Sequence, residues 1–291
     1  MTDASSALEM LRWASIALYV AAAIGAVFWA YRRPSPVRTR TTGVVAALVL
    51  LGLFPGSHAL RAMEQQRSRA EIEKYREAAW AHFRKRCKEN AGERIYGTAK
   101  DVKGFFLERP RKKPSEAQLR DQYWLGDPYG LVLYPPAQIS GYLRDLDDKD
   151  LPTLKSTAHL GYRFVETPSP SEKSKVLRYY IDRTSGRIVS RSDTDRRSRY
   201  MVSWRDISTK RDRMYWVAGG RLLITDTSTG RLLGERVGYV FETGFGSTTG
   251  GRRPWLVAQH TACPPIRINA PMDRLFVEKV LKPSRHEHRT K

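Results

Sequence analysis

The sequence predicts an α+β protein: an N-terminal two-helix transmembrane hairpin, a helical stalk, and then a mainly antiparallel β-rich soluble domain. Three observations carry that expectation. Two apolar stretches, Trp13 to Tyr31 and Gly43 to Leu60, lie near the N-terminus. A stripe of Ile72, Tyr75, Ala79, Phe83 and Cys87 follows at near-helical spacing. Beyond Ile95 the pattern changes to short apolar and aromatic runs separated by turn residues. The boundaries expected from these shifts are 1–60 for the hairpin, 61–95 for a basic helical stalk, 96–275 for the β-rich domain and 276–291 for a basic tail.

The first apolar stretch is close to the roughly 20 residues that a helix needs to cross a bilayer. It carries no charge between Arg12 and Arg32, and Trp13, Trp29 and Tyr31 sit at its ends, where an interfacial belt places aromatic rings. The second stretch contains Pro55 and reaches spanning length only with Gly56, Ser57 and His58, which predicts a kinked crossing. A buried core hairpin is the competing reading for both. No Lys or Arg precedes Arg12, so the start lacks the basic region of a secretory signal, and the first helix is expected to stay as an anchor.

Arg32, Arg33, Arg38 and Arg40 fill the connection between the two stretches, whereas the N-terminal tail is acidic or neutral. The positive-inside rule then puts the connection in the cytoplasm and the C-terminal domain outside, in the periplasm of a bacterial cell. Arg61, Arg67, Arg69, Lys74 and Arg76 weigh against this order, although Glu64, Glu71, Glu73 and Glu77 are interleaved with them. The two cysteines, Cys87 and Cys263, add weight to an exported domain. One disulfide closing most of the domain would need an oxidising compartment, the alternative being two unrelated buried thiols.

The chain has 291 residues and a formal charge of +21, enough for one medium domain after the hairpin. Its hydrophobic fraction of 41% supplies material for a core and argues against wholesale disorder. The charge favours anionic lipid heads of the inner membrane as a partner and leaves room for an envelope protein partner. It does not by itself point to nucleic acid, since Trp204, Tyr215, Trp216 and Tyr239 read more simply as β-core packing than as base-stacking platforms.

Within the domain, Val102 to Leu107 reads as a strand, followed by the basic loop Arg109-Pro110-Arg111-Lys112-Lys113-Pro114. Asp127-Pro128-Tyr129-Gly130 has turn chemistry, with a strand expected at Leu131 to Tyr134, a short helix or charged loop from Ser140 to Leu151, and extended structure from Gly161 to Glu166. The segments beginning at Tyr180 and Ile224 share an Asp-x-x-x-Gly-Arg pattern, so each is expected to be a hairpin with Asp bonding the turn and Gly at positive φ. Tyr215 to Ala218, Leu222 to Thr225, Leu232 to Glu235 and Tyr239 to Phe241 would be successive antiparallel strands.

The segments Cys87 with Ala91-Gly92-Glu93-Arg94-Ile95-Tyr96, Asp127-Pro128-Tyr129-Gly130, and the Tyr215 to Tyr239 meander with Cys263-Pro264 resemble those of uncharacterised proteobacterial membrane-anchored proteins. The resemblance implies a shared β-rich periplasmic domain and brings no activity with it.

The candidate anion cradle is the Gly-rich segment with Gly246, Ser247, Gly250, Gly251, Arg252 and Arg253. It lacks the Gly-Lys-Ser/Thr ending of a phosphate loop, and Pro254 and Trp255 follow in place of a helix signal. Asp145 to Asp150 fails as a calcium loop, and the histidines, including His286 and His288, show no zinc spacing, so no metal or cofactor is expected. The catalytic residues stay unassigned. The sequence thus favours a non-enzymatic interaction module held at the membrane. A hydrolase or transferase acting on an anionic envelope substrate is the alternative, needing Ser247, Arg252 and Arg253 to converge with Asp206 or His260.

Overall fold

The computed structural model describes Ala21, Ile24, Gly25, Phe28 and Arg32, and then residues 37–130, 135–144, 161–170, 172, 175–193, 198–266 and 272–284. Its contacts divide the chain into two compact units, Met1–Arg76 and Glu77–Lys291. Most of Trp13 to Tyr31 lies outside the described residues, as do the side chains of 37–60. Among the described residues no helix is long and apolar enough to cross a membrane.

Helix α1, Val37–Asn90, is continuous through Pro55 and joins the second apolar stretch to the stalk. Within the first unit, the stalk residues from Arg61 to Arg76 are exposed, Ile72 and Tyr75 among them. The predicted stripe is buried only in its later half, where Ala79 and Phe83 pack against Val217, Val237, Tyr239 and Phe241. The helix stops where Asn90-Ala91-Gly92 predicts, with Gly92 at φ 135, a backbone region open to glycine.

The second unit is a mainly β-sheet domain. Its strands are β1 (Gly92–Ile95), β2 (Ala99–Val102), β3 (Gly104–Leu107), β4 (Phe164–Pro168), β5 (Val176–Ile181), β6 (Ile188–Asp193), β7 (Tyr200–Asp206), β8 (Val217–Asp226), β9 (Arg231–Phe241), β10 (Ala262–Cys263) and β11 (Leu281–Pro283). The main sheet runs β1-β9-β8-β7-β3-β4-β5-β6, with β10 also on β9. Its pairs are antiparallel except that β3 is parallel to both β4 and β7. A parallel pair needs a long crossover. Between β3 and β4 it includes helices α2 (Glu116–Arg120) and α3 (Pro135–Leu143). Helix α4 (Lys210–Met214) leads into β8, and α5 (Pro254–Val257) and α6 (Met272–Val280) follow β9.

Both Asp-x-x-x-Gly-Arg segments are hairpin turns. Asp182 accepts from the Ser185 N–H at 3.1 Å and Asp226 from the Ser228 N–H at 3.1 Å, with Gly186 and Gly230 at φ 65 and 70. The four short strands expected after Tyr215 are instead two long ones, β8 and β9. Their glycines are not turns but close-approach points: a Cβ at Gly219 would strike the Tyr239 ring, and one at Gly238 the Tyr129 ring. Conversely, the single strand expected at Val102 to Leu107 divides at Lys103, because Gly104 lies directly under Phe164 in the main sheet while β2 leaves to pair with β11. The strand expected at Leu131 to Tyr134 falls outside the described residues. The helical option from Ser140 holds, but as the end of α3.

The start expected for the basic tail needs correction. Phe276, Val277, Val280 and Leu281 are fully buried in the main core, and the Tyr162 hydroxyl donates to the Leu281 carbonyl at 2.5 Å. The domain therefore runs through Ser284, whose N–H donates to the Val102 carbonyl at 3.0 Å. The charged pairs Asp273-Arg274 and Glu278-Lys279 hid a helix whose buried apolar face is only Phe276, Val277 and Val280.

Candidate functional site

The basic loop after β3 lines a cleft. Its prolines, Pro110 and Pro114, fix φ on either side of Arg111, Lys112 and Lys113. Arg111 turns inward and is almost fully buried, while both lysines are exposed. Its N–H donates to the Gln138 side-chain carbonyl at 3.0 Å, and its guanidinium donates to Asp127 at 2.6 Å and also to Asp273. Above this floor lies a cleft of about 260 Å³ walled by Trp124 and Trp204 and lined by both lysines. The Trp204 indole N–H donates to the Arg109 carbonyl at 2.8 Å, which fixes the plane of that wall. Trp124 folds over Gly126, where any Cβ would meet the indole.

Behind the floor, Arg236 donates to the second oxygen of Asp273 and lies over the Tyr129 ring. Two arginines and two aspartates are thus compensated in the interior. Such an arrangement is costly to desolvate and still more costly to break. Burial lowers the Arg236 pKa, and the neighbouring Arg111 charge adds to this. Arg111 Nε, Gln138 Nε2, Tyr142 Oη and two nitrogens of Arg236 have no hydrogen-bond partner among the described residues. Four of the five can only donate, so the centre is rich in donors and short of acceptors.

The Gly-rich loop is built differently. The N–H groups of Gly244 and Gly246 donate to Glu242 at 2.9 and 2.6 Å, and the Arg252 guanidinium pairs with the same carboxylate. Glu242 is completely buried. The cradle predicted for an external anion is therefore filled by the chain's own carboxylate. Arg253 pairs with Glu116 at 3.3 Å, and the Ser247 hydroxyl is within 3.3 Å of the Thr249 hydroxyl. Gly250 and Gly251 take positive φ, shaping the turn. Asp206, the acid considered for the enzyme reading, is paired with Arg213 at 2.7 Å, and His260 sits in a separate short 3-10 turn, Ala258–His260.

A third cluster fastens the helix to the sheet. Cys87 near the end of α1 and Cys263 in β10 are at disulfide distance, with Cα atoms 5.8 Å apart and a sequence separation of 176. The preceding residue, Arg86, forks onto Asp212 at 2.9 and 2.7 Å, and about one turn earlier His82 lies 2.6 Å from the same carboxylate. Asp212 also accepts from the Thr209 N–H at 2.7 Å as part of the capping box that starts α4. Burial alone would raise its pKa, but these bonds outweigh burial and hold it below the usual carboxylate range. Among the described residues no group of His, Cys, Asp and Glu could hold a metal ion. The Asp145 to Asp150 loop and His286 to His288 lie outside those residues.

The tryptophan-walled cleft is the site that sequence reasoning missed. The basic loop was visible, but Trp204 reads as core from its strand, and nothing local brings it to Trp124. Of the aromatic cluster expected in the core, Trp216 and Tyr239 are buried, and Trp204 and Tyr215 are half-buried side chains packed against the core. Comparison with family models, curated proteins and solved structures finds no match.

Proposed function

We propose that this chain is a membrane-anchored bacterial envelope protein, two-pass in the inner membrane, presenting a non-enzymatic binding module in the periplasm. The carrying observation is the Cys87–Cys263 pair at disulfide distance, which ties the end of a 54-residue helix to the sheet and suits an oxidising compartment. The apolar runs before Arg61 and the arginine-rich connection support the same reading. A binding role is favoured over catalysis because the groups nominated for chemistry are already engaged. Glu242 holds Arg252, Glu116 holds Arg253 and Arg213 holds Asp206. Anionic lipid heads and an envelope protein remain the partners that the basic stalk favours.

A periplasm-dependent phosphatase fused after Lys291 should be active, and a cytoplasm-dependent reporter at the same site silent. The reverse pattern would overturn the orientation. Thiol trapping in intact cells provides the second reading. Cys87 and Cys263 should resist alkylation until reductant is added, whereas two freely alkylated thiols would defeat the periplasmic assignment.

A further inference from the structure

We infer that the tryptophan-walled cleft binds one acidic sugar residue, a pyranose ring bearing a carboxylate or phosphate, which would give the envelope module its ligand. This rests on the binding-module reading above and adds a chemical class to it. The cleft volume of about 260 Å³ lies just below the usual range of ligand sites, which limits it to one ring and its acid group. The two indoles offer π faces, which attract the C–H-bearing face of a pyranose as they attract other positive edges. Beside them Leu125 is 88% exposed, a large apolar side chain left at the rim.

The charge of the lining selects an acid. Lys112 and Lys113 line the cleft beside Arg111, whose own charge is met by Asp127 and Asp273, and Asp127 also accepts from the Gly130 N–H at 3.0 Å. Prolines on both sides restrict the loop before any ligand arrives, so less ordering entropy is lost on binding. Each simpler ligand leaves part of this lining unused. An inorganic anion would use the lysines and not the indoles, and a neutral sugar the indoles and not the lysines. An acyl chain needs an extended apolar groove.

Calorimetric titration of the full chain in detergent, with glucuronic acid, glucose and inorganic phosphate as separate probes, tests this. Glucuronic acid should bind saturably with a Kd of about 1 mM. Glucose and phosphate should each bind at least about tenfold more weakly, since each uses half of the lining. Lys112→Gln with Lys113→Gln, both at exposed positions, should bring glucuronic acid to the level of glucose. Trp204→Phe should weaken glucuronic acid and leave phosphate unchanged. Phosphate as tight as glucuronic acid, glucose as tight as glucuronic acid, or no saturable heat with glucuronic acid would each overturn the ligand class. If glucuronic acid binds but the reporter places the domain in the cytoplasm, the ligand class stands and the location falls. A periplasmic domain without such binding removes the ligand class alone.

Discussion

The loop from Arg109 to Pro114 and the loop from Gly244 to Arg253 both gather arginine or lysine beside turn-forming residues, yet they end in opposite states. In the Gly-rich loop Arg252 and two N–H groups close on an internal carboxylate, Glu242, and Arg253 pairs with Glu116. In the Pro-flanked loop one cation, Arg111, goes down to Asp127 and Asp273, and the two lysines stay at the surface beside the indoles. Glycine permits the backbone to wrap a nearby acid. Proline denies that freedom, and Lys112 and Lys113 stay exposed. Basic composition alone does not distinguish a binding loop from a self-satisfied one; the position of the nearest buried acid does.

The strongest way to break this contrast is to remove the acid beneath the open loop. Asp273→Ala leaves Arg111 and Arg236 buried without their shared partner and should cost about 3–5 kcal/mol of stability, read by urea unfolding. A loss under 1 kcal/mol would mean that the floor is not held by this pairing. Glu242→Ala should cost about 2–3 kcal/mol, because two N–H groups and a guanidinium lose their acceptor. It should also convert the Gly-rich loop into an external anion site, so that sulfate stabilises the variant more than the parent chain in a thermal melt. Equal sulfate effects on both would show that the loop collapses rather than opens.

Acid acts next, through the Asp212 clamp that fastens α1 to α4. The Asp212 pKa lies below its unfolded value, so its contribution is fully present above the unfolded pKa of about 3.9 and is lost as pH falls through the lower folded pKa. The urea midpoint should therefore hold steady from this group between pH 7 and 5 and decline below pH 4. Asp212→Asn should flatten that decline, and an unchanged acid slope would remove Asp212 as its source. The smallest stability effect belongs to the open loop's own rim. Lys112→Ala should shift stability by no more than about 0.5 kcal/mol, as expected for an exposed side chain that holds nothing together. A larger loss would give Lys112 a structural role and narrow the difference between the loops.

Much of the fold was legible locally. The Asp-x-x-x-Gly pattern specifies its turns through short-range bonds, and Asn90-Ala91-Gly92 ends the helix through backbone freedom at one glycine. Reading failed where glycine had two meanings. At Gly219 and Gly238 it makes room for tyrosine rings from elsewhere in the chain, which no local signal reports. The candidate site failed for a related reason. Glu242 neighbours its loop in sequence, but only its complete burial reveals that it fills the cradle. The cleft needs β7 to carry Trp204 back to the loop after β3, through the parallel pairing of those strands.

By itself the sequence determined the apolar N-terminal runs, the charge asymmetry around them, the helical stalk, the hairpin turns and an economical cysteine pairing, because each depends on composition or on residues within a few positions of one another. The tertiary structure decided which glycines turn and which make room, how far the domain extends toward the C-terminus, which loop satisfies its own cations, and that Trp124 and Trp204 face one cleft. Those outcomes depend on contacts between residues tens to hundreds of positions apart, such as Arg111 with Asp273 and Arg86 with Asp212. Burial fixes their partners, since a charge taken out of water must find one.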